Sequence, residues 1–256
     1  MIPAERRNNI INYIENHGAA TIAGLSQVLG VSEMTIRRDL RYIEAQGVIK
    51  RTYGGAVSNE GTGLEPFPNT RKTQQQQEKE RIASKALEFI NDGDTLIFDC
   101  STTVLALAKK VNGLKKNLTI LTPSLYIPIE IKKPSSISII SSGGLVSHSL
   151  GGYVGPHAED LFLNANVDKI FFSCYGVHFD GLSDPNYLLA NLKKIMIKAA
   201  QEVFLLADYS KFGKKGLTRF GDFTCINTLI IDEKTPIEYV NSFKDDGVKV
   251  LKSDKQ

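Results

Sequence analysis

The chain of 256 residues contains only three cysteines, Cys100, Cys174 and Cys225, and no two of them form a CxxC pair. Three cysteines this far apart are typical of reduced thiols in a cytoplasmic protein and argue against disulfides or a cysteine metal site. The N-terminus lacks the apolar run of a signal peptide, and no segment approaches about 18 uninterrupted apolar residues. We therefore expect a soluble cytoplasmic protein that does not span a membrane.

Several catalytic and nucleotide-binding motifs are also absent. The sequence contains no GxGxxG fingerprint, no Walker motif and no GxSxG elbow. The four histidines, His17, His148, His157 and His178, are not spaced as HxxxH with a glutamate, so a metal site is not expected. The sequence therefore predicts neither a cofactor nor a metal ion, and no residue is assigned a catalytic role.

The chain has little net charge. Its 31 Lys and Arg residues against 28 Asp and Glu residues give a formal charge of +3. Residues 1–58 contain 7 basic and 5 acidic residues, and the remainder contains 24 and 23. The net charge of neither part is high enough to indicate a general polyanion-binding protein. Any contact with nucleic acid must therefore come from a local cluster of arginines.

Residues 21–57, TIAGLSQVLGVSEMTIRRDLRYIEAQGVIKRTYGGAV, carry the most informative pattern in the chain. Apolar residues that repeat at i, i+3 and i+7 predict a short helix that ends at Gly30. Ser32 can cap a second helix, which Gly47 terminates, and a longer helix over 4–17 precedes both. The segment VIKRTYGGAV predicts two short strands around a turn. This order is typical of a winged helix-turn-helix, which places its second helix in a DNA major groove.

The second of these helices has two chemically different faces. Ile36, Leu40 and Ile43 form the inward stripe, whereas three arginines are predicted on the surface. Met34 is expected to pack internally, with contact to a thymine methyl group as the alternative. The arginines could be merely solvated, but their density favours contacts to phosphates or base edges. The candidate DNA-binding residues are Ser32, Thr35, Arg37, Arg38, Arg41, Lys50, Arg51 and Tyr53.

Composition divides the chain into a DNA-binding domain over 1–58, a linker over 59–73 and a second domain over 74–256. The linker contains two glycines and two prolines within NEGTGLEPFPNT and shows no period. From Asp94 onward, short apolar runs alternate with helical patterns, which predicts an α/β fold with a parallel sheet covered on both faces. The predicted strands are 96–98, 118–121, 137–140, 169–172, 203–206 and 228–231, and the main helices are 103–111, 157–163 and 187–201.

Ligands gather at the carboxyl ends of the strands in such sheets. One strand is followed by Asp99 and then by Ser101, Thr102 and Thr103, which begin a helix. Hydroxyls and backbone N–H groups at a helix N-terminus suit a phosphate, although Ser and Thr are equally ordinary helix caps. Asp99 could accept a hydrogen bond from a sugar hydroxyl.

Two further strand ends carry candidate residues. Gly143 and Gly144 follow the strand ISIISS and would let the backbone approach a ligand closely. Lys211 follows the strand in FLLADYSK and is a candidate phosphate partner, the alternative being a solvated side chain. Lys193 and Lys194 are adjacent on a helix, so only one of them could face a pocket.

Both halves of the chain resemble the DeoR family of bacterial transcriptional regulators, over essentially residues 3–232. In the first half, VSEMTIRRDLRYIEAQGVIKRTYGGAV is similar to that family's recognition helix and wing. In the second half, the similar segments are NDGDTLIFDCSTTVLALA, SSGGLVSHSLGGYVGP, DKIFFSCYGV, GLSDPN and LLADYSKFGKKG. Two independent sets of motifs in the same order make the resemblance specific.

The resemblance implies a second domain with the fold of ribose-5-phosphate isomerase and CoA transferases, used as a sensor for a phosphorylated sugar or sugar acid. It also implies a repressor of carbohydrate-utilisation genes that binds a double-stranded DNA operator as a homodimer or homotetramer. Carried over by position, the effector-binding residues are Asp99, Ser101, Thr102, Thr103, Gly143, Gly144, Lys193 and Lys211.

Three segments depart from the family pattern. Ser101 stands where the family usually has glycine before Thr-Thr, and Pro123 interrupts the Thr-Asn-Ser that usually follows the next strand. Leu188 and Leu189 stand where the family commonly carries two glutamates. Without those carboxylates, we expect a less hydroxylated or more acidic effector.

The sequence is compatible with two functions. The first is a DNA-binding regulator in which effector and DNA change each other's affinity by the same factor. The alternative is a sugar-phosphate isomerase with an appended DNA-binding module, which needs a general base among Asp99, Asp184 and Asp208. The leucines at 188 and 189 disfavour turnover. Whether the effector releases or promotes DNA binding stays open at this stage.

Overall fold

The computed structural model describes residues 2–58, 68–112, 114–131 and 136–253. The chain divides into two compact units, Met1–Gln74 and Gln75–Gln256. The first contains a winged helix-turn-helix and the second is an α/β domain with a parallel sheet, which confirms the predicted fold class. None of the helices that the structure describes is long and apolar enough to cross a membrane.

The first unit is built from short helices around a small antiparallel sheet. Its described elements are α1 (Pro3–His17), β1 (Ala19–Thr21), α2 (Ile22–Leu29), α3 (Glu33–Ala45), β2 (Ile49–Thr52), β3 (Gly55–Ser58) and α4 (Pro68–Thr73). Strands β2 and β3 form the predicted wing, and β1 adds to the other side of β3. The sequence pattern does not predict β1, because three residues are too few to show a period.

Local chemistry sets the helix boundaries of the first unit. The N–H of Gly24 donates to Thr21 Oγ1 at 3.0 Å, which caps the start of α2. Gly30 ends α2 in the left-handed region with φ 64°. The predicted inward stripe of α3 is confirmed, since its members are buried with the apolar side chains of α1 in one core of Ile10, Ile11, Ile14, Leu25, Ile36, Leu40 and Ile43.

The predicted linker is partly helical. Its first residues, 59–67, lie outside the described residues, but 68–73 form α4. The hydroxyl of Thr73 donates to Asn8 Oδ1 of α1 at 3.2 Å, so α4 belongs to the first unit. Proline at N1 is compatible with a helix start, which explains why a proline-rich stretch could end in a helix.

The second unit alternates strands and helices. Its described elements are α5 (Gln76–Leu87), β4 (Thr95–Phe98), α6 (Thr102–Val111), β5 (Leu118–Thr122), α7 (Ile127–Glu130), β6 (Ile137–Ser141), β7 (Leu145–Ser147), β8 (Gly152–Val154), α8 (Pro156–Leu163), β9 (Val167–Phe172), β10 (Gly176–His178), β11 (Gly181–Asp184), α9 (Tyr187–Lys198), β12 (Ala200–Ala207), β13 (Thr218–Gly221), β14 (Thr228–Ile231), α10 (Ile237–Asp245) and β15 (Lys249–Lys252).

Seven of these strands form one parallel sheet in the order β15-β14-β12-β9-β4-β5-β6. All six predicted strands belong to it, whereas β15 was not predicted. The α6-side core lies between the sheet and helices α5 and α6, and it includes Ile82, Leu96, Phe98, Leu107, Phe171, Phe204 and Leu206. The α9-side core covers the other face, under α8, α9 and α10, and it includes Phe162, Phe172, Leu192, Leu205, Ile231 and Phe243.

The remaining strands form small antiparallel additions near the carboxyl ends of the sheet. Strands β7 and β8 pair with each other, and β10, β11 and β13 form a three-stranded sheet. The predicted helix over 187–201 ends at Lys198 instead, because β12 already begins at Ala200. The strand-forming run VFLLA extends backward through polar residues, which the apolar pattern alone does not reveal.

Candidate nucleic-acid interface and strand-end site

Helix α3 presents one cationic face. Successive helical residues are about 100° apart, so Met34, Arg37, Arg38 and Arg41 fall within a sector about 100° wide. All four are exposed, while the opposite side of the helix is buried in the core. We call these four residues the recognition stripe. One of them is paired on the surface, since Arg37 Nη2 lies 3.6 Å from Glu33 Oε2.

The exposure of Met34 corrects the expectation that it packs internally. Its side chain is 75% exposed, at the N-terminal end of the stripe and on the same face as the arginines. Ile36 already occupies the inward position in this turn and is completely buried. An exposed apolar side chain on the same face as the arginines suits contact with a thymine methyl group, the alternative raised by the sequence.

The start of α3 is fixed by two of the candidate DNA-binding residues. The N–H of Thr35 donates to Ser32 Oγ at 3.3 Å, and the two hydroxyl oxygens lie 3.0 Å apart. The Ser32 side chain therefore caps the helix, and the Thr35 hydroxyl contacts the capping oxygen. Ser32 is exposed and Thr35 is half-buried, so either hydroxyl could still bond a DNA phosphate.

A buried charge cluster attaches α3 to α1, and the sequence reasoning missed it. Arg6 Nε donates to Asp39 Oδ2 at 2.6 Å, and Arg7 Nε donates to Asp39 Oδ1 at 2.9 Å. Asp39 is fully buried, and the Arg7 guanidinium also stacks on the Tyr42 ring at 3.7 Å. Two guanidinium groups thus hold the inner side of the helix whose outer side carries the recognition stripe.

The wing exposes a second group of predicted residues. Lys50 and Tyr53 are exposed, and Tyr53 lies in the turn between β2 and β3. Arg51 is tied to α3, because its Nε donates to Glu44 Oε2 at 2.6 Å and its N–H to Glu44 Oε1 at 3.1 Å. These hydrogen bonds lower the pKa of Glu44. The Arg51–Glu44 pair therefore links the wing to the recognition helix.

The strand-end site of the second unit centres on Asp99, which directly follows β4 and is fully buried. Its Oδ1 accepts the N–H of Ser101 at 2.9 Å, and its Oδ2 accepts the N–H of Ser173 at 3.1 Å. Burial raises the pKa of Asp99, although Lys193 and these donors act in the opposite direction. The carboxylate thus joins the end of β4 to the end of β9.

Lys193 is brought to the same place from α9. Its ammonium donates to the carbonyl oxygen of Ser173 at 2.6 Å and to Asp184 Oδ2 at 2.7 Å, and lies 3.8 Å from Asp99 Oδ2. Burial disfavours the charged form, but the carboxylates of Asp184 and Asp99 prevail and raise the pKa of Lys193. Its neighbour Lys194 is exposed, so one of the two lysines faces the site.

Lys211 lies in a short 3-10 helix, Tyr209–Lys211, that follows β12. It is half-buried and close enough to the Cys174 thiol to act on its pKa, as Asp184, Lys193 and Asp99 also do. Burial prevails among these influences and raises the pKa of Cys174. Cys174 directly follows Ser173, whose carbonyl oxygen Lys193 binds, so Lys211 acts on a thiol that adjoins the Asp99–Lys193 cluster.

The start of α6 provides the predicted hydroxyl groups. Ser101 is the N-cap, and its Oγ accepts the N–H of Val104 at 3.3 Å. Thr102 is half-buried and Thr103 is buried. The N-terminus of α6 lies directly after Asp99, and the N–H groups of Ser101 and Val104 are already bound, to Asp99 Oδ1 and to Ser101 Oγ.

The glycines at the end of β6 adopt backbone conformations that other residues rarely adopt. Gly143 has φ 64° and Gly144 has φ 109°, and a Cβ on Gly144 would lie 3.0 Å from the backbone N of Ala158 in α8. Gly152 of β8 fits against Cys100, where a Cβ would lie 2.8 Å from Cys100 Cβ. The loops that follow β4 and β6 are thereby linked through β8, since a Cβ on Gly144 would also lie 3.2 Å from the carbonyl oxygen of Val154 in β8.

The leucines that replace the family's glutamates pack beside Asp99. Leu189 lies in a small buried cluster with Cys100, Leu150 and Val154, and Leu188 packs against it. The first turn of α9 therefore gives the site an apolar wall. The expectation of a less hydroxylated or more acidic effector stays a prediction.

Comparison with protein-family models gives two matches. Residues 6–62 match a DeoR-like helix-turn-helix domain, and residues 74–233 match a DeoR C-terminal sensor domain. Among named relatives, the HTH-type transcriptional regulator GolR of Listeria innocua is 35% identical over 98% of this chain and 98% of its own length. The L-fucose operon activator of Escherichia coli is 34% identical over 90% of this chain and 96% of its own length.

Solved structures resemble the chain more remotely. Ribose 5-phosphate isomerase A from Neisseria gonorrhoeae is 15% identical, with a TM-score of 0.41 over 57% of this chain and 56% of that chain. A similarity this low indicates nothing about the activity of this chain. The regulators named above, in contrast, match nearly the whole chain, including the helix-turn-helix and the sensor domain.

Proposed function

We propose that this chain, which belongs to the DeoR family of DNA-binding transcriptional regulators, represses an operon for the use of a carbohydrate or sugar acid. The first unit binds a double-stranded operator, and the second binds a phosphorylated sugar or sugar acid that changes the affinity for DNA. The observation that carries the proposal is the recognition stripe, whose arginines are exposed on a helix with a fully buried opposite face.

The recognition stripe enters the major groove, and the wing lies along the DNA backbone. An arginine can bind guanine through two hydrogen bonds, and such a contact discriminates against other bases by about 1–3 kcal/mol. Lys50 and Tyr53 are exposed on the wing and suit phosphates or the minor groove. Because Arg51 already pairs with Glu44, its role is to hold the wing as well as to contact DNA.

The anionic group of the effector binds at the N-terminus of α6 and near Lys211. The hydroxyls of Ser101, Thr102 and Thr103 and the helix dipole favour an anion there. Lys193 has a different role, because its ammonium is already bound to Asp184 and to the carbonyl oxygen of Ser173. It positions the strand ends instead of binding the phosphate directly.

We infer that the second unit releases its ligand unchanged. An isomerase needs a carboxylate free to take a proton from the substrate. Asp99 accepts two backbone N–H groups, and Asp184 is held by Lys193 and by the N–H of Tyr175, whereas Asp208 keeps one carboxylate oxygen, Oδ2, without a hydrogen-bond partner. The first turn of α9, beside Asp99, is apolar. Binding without turnover is sufficient for a regulator.

The two sites are linked thermodynamically. If the effector and the operator prefer different states of the protein, each weakens the other by the same factor, with a typical coupling of about 1–3 kcal/mol. The protein acts in the cytoplasm as a homodimer or homotetramer, because two-fold related helix-turn-helix units match the half-sites of a palindromic operator. The relative in Escherichia coli is named as an activator, so whether this chain represses or activates transcription is a separate question from whether it binds DNA.

Selection of bound sequences from random duplex DNA tests the DNA-binding half of the proposal. The full chain should enrich one palindromic sequence, and Arg38→Ala should bind it at least tenfold more weakly, with a smaller dependence on salt. Arg219→Ala is the matched control, because Arg219 is an exposed arginine of the second unit. Enrichment of no sequence, or equal binding by Arg38→Ala, would contradict the assignment of the recognition helix.

A further inference from the structure

Strand β6 (Ile137–Ser141) is an edge of the seven-stranded sheet. It lies at one end of the strand order, next to β5. An edge strand presents unpaired N–H and C=O groups, which proteins usually protect with charged side chains, proline or a β-bulge. The described stretch 136–147, SISIISSGGLVS, contains no charged residue and no proline, and β6 pairs with β5 in unbroken register. Within this stretch, β6 therefore lacks all three protections.

The opposite edge of the same sheet is protected by charge. Strand β15 (Lys249–Lys252) lies at the other end of the strand order, and the lysines at its two ends are exposed. A copy of the chain that approached this edge would bring its own lysines, and like charges across a strand pair are destabilising. The two edges thus differ in charge, and β6 is the one that is compatible with a copy of itself.

Three exposed apolar side chains lie in the same uncharged stretch. Ile140 is 43% exposed, and Leu145 and Val146 of β7 are 62% and 42% exposed. Single exposed apolar residues are normal, but several in a short stretch without charges are typical of a protein interaction surface. The composition of the stretch therefore favours a protein partner at β6 over solvent.

The hydrogen bonds to β5 determine which backbone groups face the free edge. The N–H of Ser142 donates to the carbonyl oxygen of Thr122, the last residue of β5. In a parallel pair, every second residue bonds the neighbouring strand, and the residues between them point away. The even-numbered residues of β6 therefore face β5, whereas Ile137, Ile139 and Ser141 direct their N–H and C=O groups outward.

This outward row matches itself in the antiparallel direction. A two-fold axis beside Ile139 places Ile139 opposite Ile139 of a second copy, and Ile137 opposite Ser141. Residues opposed in this way exchange two hydrogen bonds in an antiparallel pair, so the three opposed pairs form about six. The edge of one chain is thus complementary to the same edge of another.

The side chains are compatible with this pairing. Ile139 packs against the α6-side core, so Ser138 and Ile140 lie on the other face of the sheet. In the antiparallel pair, Ile140 lies opposite Ser138 of the copy and diagonal to its Ile140, with Cβ separations of about 4.5–5.5 Å and 7–8 Å. Pairing therefore covers the exposed Ile140 and brings no charged residue of β6 against another.

We infer that β6 of one chain pairs antiparallel with β6 of a second copy, so that two seven-stranded sheets become one continuous sheet. A strand of another protein would need its own matching uncharged edge, whereas a copy of this chain supplies one by symmetry. The pairing rests on the proposed homo-oligomeric regulator and assigns the surface through which its subunits associate. A closed two-fold interface also suits the two half-sites of a palindromic operator.

Ser138→Lys in the full chain tests the interface by charge. Ser138 is exposed, so a lysine there is compatible with the fold of a single chain, but the pair would place two ammonium groups on one face of the joined sheet. Sedimentation equilibrium without DNA or effector should show self-association of the wild type, and Ser138→Lys should raise its dissociation constant about tenfold or more. Ser84→Lys is the matched control and should not change it, because Ser84 is an exposed serine of α5, which packs against β12 and β14.

Cysteine cross-linking tests the register. Because residue 138 lies opposite residue 140 in the pair, an oxidised mixture of Ser138→Cys and Ile140→Cys chains should give covalent dimers with one chain of each kind. Either variant alone should give far fewer dimers, because its new thiols are diagonal neighbours about 7–8 Å apart. A tag on one variant distinguishes mixed from uniform dimers on a non-reducing gel, and the oxidised wild type controls for its three native cysteines.

Three results would overturn the pairing. A wild type that stays monomeric at every concentration would mean that β6 binds another protein or is covered by another part of the chain. Equal dissociation constants for Ser138→Lys and the wild type would place the subunit interface elsewhere, and uniform dimers without mixed ones would exclude the register. None of these measurements involves DNA or effector, so selection of an operator by the wild type would leave the DNA-binding function standing in each case.

Discussion

Replacing Asp39 with alanine should destabilise the DNA-binding unit far more than any surface change on the same helix. The Asp39 carboxylate is fully buried and receives Arg6 Nε at 2.6 Å and Arg7 Nε at 2.9 Å. Its removal leaves two guanidinium groups without their counter-charge, and the Arg6 side chain is only 8% exposed. Removing one partner from a buried ion pair costs about 3–5 kcal/mol.

This cost is large relative to the stability of so small a unit. Domains are stable by about 0.05–0.15 kcal/mol per residue, which gives roughly 4–11 kcal/mol for the unit Met1–Gln74. Asp39→Ala should therefore remove about a quarter or more of that stability. Asp39→Asn, which keeps one acceptor oxygen but loses the charge, should fall between the alanine variant and the wild type.

Urea unfolding of the full chain, monitored by circular dichroism and by operator binding, measures this effect. In Asp39→Ala, operator binding should be lost at a clearly lower urea concentration, whereas the transition of the second unit should not move. Glu33→Ala is the control, because the Glu33–Arg37 pair is exposed at 3.6 Å and such pairs contribute about 0–1 kcal/mol. If Asp39→Ala and Glu33→Ala lose operator binding at the same urea concentration, the buried cluster does not support the recognition helix.

The remaining predictions concern the other buried ion cluster and the exposed methionine. Lys193→Met leaves Asp184 and Asp99 without their counter-charge and should destabilise the second unit by about 3–5 kcal/mol, whereas exposed Lys194→Met should have little effect on thermal unfolding. Burial raises the pKa of Asp99, so the loss of stability in Lys193→Met should shrink as the pH falls and the Asp99 carboxyl becomes neutral. A loss of stability that does not depend on pH would contradict this explanation. Met34→Ala should weaken operator binding at unchanged thermal stability; unchanged affinity for every selected sequence would show that the side chain makes no contact with DNA.

The parts of the fold that depend on local periodicity could be predicted from the sequence. Ile36, Leu40 and Ile43 recur at helical spacing, and that spacing alone determines which face of α3 is buried. The six predicted strands are apolar runs bounded by polar residues, a pattern that a doubly covered parallel sheet requires. The small strands β1, β10, β11 and β13 have three or four residues each, so they show no period.

Contacts between distant residues could not be predicted in this way. Asp39 lies 33 residues from Arg6, and no local pattern states that an acidic residue on a basic helix points inward to α1. The ion pair between Lys193 and Asp184 shows no local pattern either, because it depends on how α9 packs against β11. Ser173 could have been found, because it follows the apolar run of β9 and the strand-end rule applies to it as it does to Asp99.

We propose that the chain couples an arginine-bearing DNA interface to a strand-end metabolite site. The most direct test measures operator affinity with and without the sugar phosphate that binds the second unit, and then the affinity for that sugar phosphate with and without operator DNA. The two ratios should be equal and should lie between about 5-fold and 150-fold. Affinities that are the same in the presence and absence of the other ligand would contradict the account.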